Sequence, residues 1–358
     1  MKKIKNFFKN VDDFRNAIAN EDKVFVYARG AEPSVEKFNQ LLADYEGMET
    51  ALSFSSGVAA ISAVFFSLLK KDDHLIFHRH IYSWARHLIF NHCHKFGIKY
   101  TEIDESELPN IQKYILPATK MIYLENPSFY LFEVLELQNV FTIAKQNNIL
   151  TVLDNSYLGP GNLKPHLQKF DIILHSATKI ICGKGDAMGG VVCTNAQLRK
   201  IIFKEGLMSL GAVMTSQVAE LLTLRMEDYR ERTQRISLEM KKLLKFLNTQ
   251  SQVKQVNYPW ILDKNDNWIE HKDFYFPVGL LSFVIDCKDR NRIEKMVNSF
   301  ETIKMGVSYG AKEALAIPSV LFAKPDESNQ SIDLVRLSIG EEKAEKVIED
   351  LEKSFKFL

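Results

Sequence analysis

The stretch ILTVLDNSYLGPGNLKPHLQKFDIILHSATKIICGKGDAMGGVVC, residues 149–193, decides the fold. Its three apolar runs, 149–153, 171–174 and 190–193, have the length of strands and almost no polar alternation, so each is expected to be covered on both faces of a sheet. Toward the N-terminus, SVEKFNQLLADYEG (34–47) places apolar residues at helical spacing, opens on a Ser cap at Ser34 and stops at Gly47. A turn at Ser55-Ser56-Gly57 then opens an apolar helix over 58–69. Strand 74–78, helix 83–96, strands 98–102 and 120–124, and helix 137–147 follow. Such alternation predicts an α/β layer fold with a mainly parallel sheet.

Toward the C-terminus a charged helix, 225–249, leads into a different rhythm. Strands are expected at 279–287 and 334–339, helices at 289–300 and 341–356, and a loop-like stretch at 254–278. The organisation read from this is an N-terminal arm (1–33), a large domain (34–224) and a smaller C-terminal α/β domain (225–358).

With 46 Lys and Arg against 45 Asp and Glu, no overall field favours nucleic acid or an anionic membrane, and a small-molecule partner is expected. Cys93, Cys182, Cys193 and Cys287 lie far apart, without the CxxC or Cys/His spacing of a zinc site, and read as ordinary thiols; no metal is expected. The start MKKIKNFFKNVDDF is basic but lacks the continuous apolar run of an export signal, and no run approaches the roughly 20 apolar residues that span a bilayer. A cytoplasmic protein is expected.

Three features fall where a parallel sheet offers its binding crevice, at the carboxyl ends of strands. Asp154 directly follows ILTVL; alone, it would read equally well as a turn aspartate. Lys179 follows DIIL in HSATK; an isolated lysine is usually a solvated surface group, but this one sits among Ser176, Thr178, Gly183, Gly185, Gly189 and Gly190. Ser55-Ser56-Gly57-Val58 opens a helix whose N–H groups and dipole favour a phosphate, although an ordinary capped helix looks the same. Together the three supply what pyridoxal 5′-phosphate (PLP) chemistry needs: an amine to attach the cofactor, a carboxylate for the pyridine nitrogen and a phosphate cradle.

The segment DNSYLGPG followed by FDIILHSATKIICGKGDAMGG resembles the cofactor-lysine region of the Cys/Met metabolism PLP enzymes, the trans-sulfuration family of fold-type I. YARGAEPSVEKFNQLLADYEGMETALSFSSGVAA, MIYLENPSFYLFEV, VSYGAKEAL and LVRLSIG resemble further ordered motifs of that family, so the likeness covers nearly the whole chain. The fold it implies is that of the aspartate aminotransferase type, with a large, mainly parallel sheet and a smaller C-terminal α/β domain.

By this resemblance Lys179 is the Schiff-base lysine and proton carrier, and Asp154 pairs with the pyridinium nitrogen. Ser56, the Gly57 and Val58 N–H groups, and the Ser176 and Thr178 hydroxyls hold the phosphate. Tyr82, grouped with Lys179 as catalytic, stacks on the cofactor ring, although a tyrosine at a strand–helix junction is more often simple packing. Arg336, assisted by Ser308, grips the substrate α-carboxylate. Tyr27 and Arg29 match a pair that reaches the phosphate of a neighbouring subunit, which implies sites shared across a dimer within a homotetramer, a dimer of dimers.

The implied activity is C–S cleavage of cystathionine or a similar sulfur amino acid by β- or γ-elimination, releasing a thiol, a 2-oxo acid and ammonia. After Glu125-Asn126-Pro127 the chain has Ser128-Phe129-Tyr130, where many γ-acting members carry an asparagine; the β-lyase branch lacks it too, and Asp186-Ala187-Met188 also resembles that branch. Lys184 in place of the usual histidine, and Tyr309 in place of a large apolar or indole residue, depart from the pattern. Alternatives are a γ-replacement synthase of the cystathionine γ-synthase type using O-acyl homoserine, a PLP aminotransferase and, least of all, a non-enzymatic binding protein.

Overall fold

The computed structural model describes residues 5–322 and 332–358. The first four residues of the expected arm, and 323–331 of the expected C-terminal domain, lie outside them. Contacts divide the chain into two compact units. One comprises the chain up to Asn126, Leu135–Ile181 and Asp186–Glu227; the other comprises Pro127–Val134, Cys182–Gly185 and Asp228–Leu358.

The first unit is built on β1 (Thr50–Phe54), β2 (His74–His78), β3 (Lys99–Ile103), β4 (Thr119–Glu125), β5 (Leu150–Asp154), β6 (Ile172–Ser176) and β7 (Gly190–Thr194). They form one sheet in the order β1-β7-β6-β5-β4-β2-β3. Only β7 runs against its neighbours, pairing antiparallel with β1 and β6, while β6, β5, β4, β2 and β3 pair in parallel. Six strands therefore point the same way, and their carboxyl ends share one edge. The apolar strand composition follows from this architecture: every residue of β2 and β7 is buried because helices cover both faces. Phe54, Phe65, Phe77, Met121, Tyr123, Val152, Leu174 and Val192 form part of the core, each large apolar side chain contributing about 1.5–3 kcal/mol by leaving water.

The second unit has its own sheet, from β8 (Val253–Asn257), β9 (Leu280–Ile285), β10 (Lys304–Met305), β11 (Leu315–Pro318) and β12 (Leu334–Ser338), in the order β10-β11-β12-β9-β8. It is antiparallel except between β10 and β11. An α/β fold with a large, mainly parallel sheet and a second, smaller sheet is what the sequence led us to expect.

Several local expectations need correction. The helix Pro33–Glu46 is capped by Glu32, whose Oε2 accepts from the N–H groups of Ser34 (2.8 Å) and Val35 (3.0 Å); Pro33 has no N–H to satisfy. Ser34 is thus inside the helix and donates its hydroxyl to Glu220 instead. The helix expected over 83–96 is α-helical for Ser83–His87, continues as a π-helical turn, Leu88–Cys93, and ends with two α-helical residues, His94 and Lys95. The loop-like stretch 254–278 begins inside β8, and the structure adds β1, a five-residue strand between a helix and a turn.

Candidate active site

The strand register of the first unit assembles the carboxyl-end edge. Phe54, the last residue of β1, pairs with Gly190, which pairs in turn with Ser176, the last residue of β6. One strand further, Leu174 pairs with Asp154, and Asp154 with Glu125 at the end of β4. Ser56, Gly57, Ser176, Lys179 and Asp154 therefore issue from one side of one sheet, although as many as 123 positions, from Ser56 to Lys179, separate them in the chain.

At the β1 end, the Ser56 side chain accepts from Ala59 N (3.1 Å) and caps the helix Gly57–Leu68. The N–H groups of Gly57 and Val58 have no intrahelical acceptor, as in any first helical turn. Glycine at 57 permits a close approach: a Cβ there would stand 2.9 Å from Ser176 Cβ and 3.1 Å from its hydroxyl. Gly190 is equally constrained, since a Cβ would lie 2.1 Å from the Ser56 carbonyl oxygen. The two glycines thus bring the Ser176 hydroxyl to the positive end of a helix, an arrangement that fits a phosphate.

Asp154 is buried, 5% exposed. Its Oδ1 accepts from Ser156 N (3.0 Å) and its Oδ2 from the Tyr123 hydroxyl (3.2 Å). A carboxylate has about four acceptor positions, so these donors leave capacity for a protonated ring nitrogen. Burial, then the negative charges of Asp154 and Glu125 and the bond to Asp154, push the Tyr123 phenol well above its ordinary range and keep it a donor. Ser156 also ties Asp154 to the neighbouring strand, its Oγ accepting from Ser176 N (2.6 Å).

Lys179 is half-buried in the turn after β6, its N–H bonded to the Ser176 carbonyl (3.1 Å). The Thr178 hydroxyl engages Gly189, accepting from its N–H (3.1 Å) and donating to its carbonyl (3.3 Å). Tyr82 follows β2, and its N–H donates to Glu125 Oε2 (2.7 Å). Behind Glu125, its own N–H donates to His78 Nε2 (3.0 Å), which assigns the His78 proton to Nδ1, facing Glu105 Oε1 (2.8 Å). Burial opposes ionisation of Glu105, but the bonds from His78, His80 and the His80 N–H outweigh it and hold the carboxyl well below the usual carboxylate range. Tyr27 and Arg29 are exposed and stand apart from this edge in their hydrogen bonding.

In the second unit Arg336 lies on β12, 5% exposed, opposite Ser282 of β9. Its Nη2 donates to the Ser308 carbonyl (2.6 Å), so it is the backbone of Ser308 that meets the guanidinium in this bond. Tyr123, Ser156, Glu125 and the His78–Glu105 pair were not anticipated as parts of a site; only the Glu-x-Pro motif at 125–127 pointed near them. Among the described residues no group of three or more His, Cys, Asp or Glu could hold a metal ion, and no helix is long and apolar enough to cross a membrane.

The family profile of the Cys/Met metabolism PLP-dependent enzymes matches residues 6–356. A cystathionine beta-lyase of Lactococcus lactis subsp. cremoris is 31% identical, over 93% of this chain and 89% of its own. The cystathionine beta-lyase of Bacillus subtilis is 30% identical (96% and 89%), and an L-methionine gamma-lyase of Fusobacterium nucleatum subsp. polymorphum 29% (96% and 89%). A crystal structure from Campylobacter jejuni, described as an O-acetylhomoserine (thiol)-lyase carrying a pyridoxyl-lysine-phosphate, superposes with a TM-score of 0.88 at 24% identity, covering 99% of this chain and 94% of that one. The helix-end cradle, the buried carboxylate and the lysine on one strand-end edge suit the cofactor that gives this family its name, and the chain belongs to the Cys/Met metabolism PLP-dependent enzymes.

Proposed function

We propose that the protein is a PLP-dependent C–S lyase acting on cystathionine or a similar sulfur amino acid. The observation that carries this reading is the convergence of Lys179, Asp154 and the Gly57 helix end on one edge, in a chain whose 30–31% identical relatives are cystathionine beta-lyases. PLP supplies an electron sink for the charge left when a substrate α-proton departs. The chain's residues do the rest. Gly57, Val58, Ser56, Ser176 and Thr178 would anchor the phosphate, Asp154 would keep the ring nitrogen protonated, and Tyr82 would pack on the cofactor. Lys179 Nζ is the amine that would hold the cofactor and serve as the base for the substrate α-proton. Arg336, with Ser308, binds the α-carboxylate.

Cleavage at Cβ of cystathionine with one water gives homocysteine, pyruvate and ammonia; cleavage at Cγ gives cysteine, 2-oxobutyrate and ammonia. Ser128-Phe129-Tyr130, without the asparagine of many γ-acting members, favours the β route. Incubating the PLP-loaded enzyme with cystathionine and identifying the 2-oxo acid tests this. Pyruvate or 2-oxobutyrate released without any added thiol supports a lyase; turnover only with O-acyl homoserine plus a thiol overturns it in favour of a synthase.

The same reading makes the enzyme a cytoplasmic homotetramer in which Tyr27 and Arg29 serve a neighbouring subunit. Their exposure supports it, as does an exposed apolar stripe, Phe7, Val11, Phe14 and Ile18, along the N-terminal helix Val11–Ala19 and its approach. Light scattering that returns a monomer would overturn this assembly.

A further inference from the structure

The guanidinium of Arg336 is held against two aromatic rings, 5.5 Å from the Tyr130 centroid and 5.6 Å from that of Tyr309. Its third neighbour is the Ser308 carbonyl. Tyr130 and Ser308 both have positive φ, +68° and +81°, a region that L side chains avoid and that is most costly for a bulky one.

Such a conformation persists only where the surroundings over-determine it, and around Tyr130 they do. Residues 127–134 close on themselves: Ser128 N donates to the Glu133 carbonyl (2.9 Å), Leu131 N to that of Phe129 (2.9 Å) and Phe132 N to that of Ser128 (3.0 Å). The Tyr130 carbonyl accepts from the Ser282 hydroxyl (2.6 Å). Ser282 is fully buried, fixed by Asn257 Nδ2 (3.0 Å), and it is the strand partner of Arg336. The residue beside Arg336 in the sheet thus anchors the residue whose ring covers Arg336.

Two rings and a carbonyl leave a planar guanidinium little freedom to rotate. Burial pushes the Tyr130 phenol up, with the Arg336 charge opposing, so the ring stays neutral and offers a π face without cancelling the charge. A guanidinium fixed in plane is preorganised for two parallel hydrogen bonds to a carboxylate.

We propose that Tyr130 is a positioning residue for substrate recognition, its ring orienting Arg336 so that the enzyme selects substrates bearing an α-carboxylate over the corresponding amines. The inference rests on Arg336 as the carboxylate anchor of the function proposed above. Its test uses unreactive ligands, so that it does not depend on C–S cleavage.

The PLP-loaded wild type, Tyr130→Phe and Tyr130→Asn are titrated with L-norvaline and with n-butylamine, its decarboxylated counterpart, following cofactor absorbance. Asparagine tolerates positive φ and removes the ring while sparing the backbone. The expected result is a wild-type preference for norvaline that Tyr130→Phe keeps and Tyr130→Asn reduces about ten-fold, with butylamine affinity unchanged. With a cleavable thioether amino acid, Tyr130→Asn should raise KM by a similar factor and leave kcat within about two-fold. An unaltered preference in Tyr130→Asn, or an equal loss in Tyr130→Phe, would overturn the proposal, as would a wild type that shows no preference. Failure of every thioether to react, with the preference intact, would instead overturn the lyase reading alone.

Discussion

The hydroxyl of Tyr123, on β4, reaches across to Asp154 at the end of β5 and donates to its Oδ2 at 3.2 Å. Both groups are buried, so the bond cannot be replaced by bulk water. Tyr123→Phe should lower stability by about 1–2 kcal/mol and weaken PLP binding, because the carboxylate loses one of the two hydrogen bonds that hold it, the other coming from Ser156 N. Denaturant unfolding and a cofactor titration check this; unchanged values for both would remove Tyr123 from the site.

Gly57→Ala introduces a Cβ 2.9 Å from Ser176 Cβ. Because Ser176 ends a strand paired with Gly190, the helix start rather than the strand should yield. PLP affinity should fall roughly ten-fold or more, with the thermal transition of the apoprotein shifted far less. Equilibrium dialysis of the two proteins measures the difference.

Lys179→Ala should cut turnover by about 10³-fold or more, since it removes the amine proposed to hold the cofactor and to take the α-proton. The visible spectrum of the loaded variant should change with it. Normal turnover in this variant would require another residue to carry the cofactor.

Arg336→Lys keeps the charge but not the planar fork. KM for amino-acid substrates should rise about 10–100-fold while PLP affinity stays constant. Steady-state kinetics beside a cofactor titration separate the two effects.

Glu105 makes stability depend on pH. Its folded pKa is held below the unfolded value, so it contributes stability above about pH 4.3 that is lost progressively as pH falls toward the lower folded value. Glu105→Gln should therefore be less stable at neutral pH, with a shallower decline on acidification. Urea unfolding at a series of pH values down to about 3 gives both slopes, and parallel slopes would show that the carboxylate makes no such contribution.

The strands 149–153, 171–174 and 190–193 were legible because burial on both faces demands unbroken apolar runs, a property of composition that survives without coordinates. So was the helix start at Gly57, since a Ser-Ser-Gly turn before an apolar run marks a capped helix by residue type alone. β1 was not: TALSF is too short and mixed to stand out, and it is a strand because Thr50–Phe54 lies alongside β7.

The sequence by itself determined the layer class, the family and which residue types could hold the cofactor. Only the tertiary structure decided which side chains support them. Tyr123 faces Asp154, Ser156 binds Ser176, and Tyr130 covers Arg336 because strand register and a positive φ place them there. Register is set by pairing across the sheet, between positions tens to hundreds of residues apart, and a left-handed tyrosine is set by the hydrogen bonds around it. Neither leaves a local pattern in the chain.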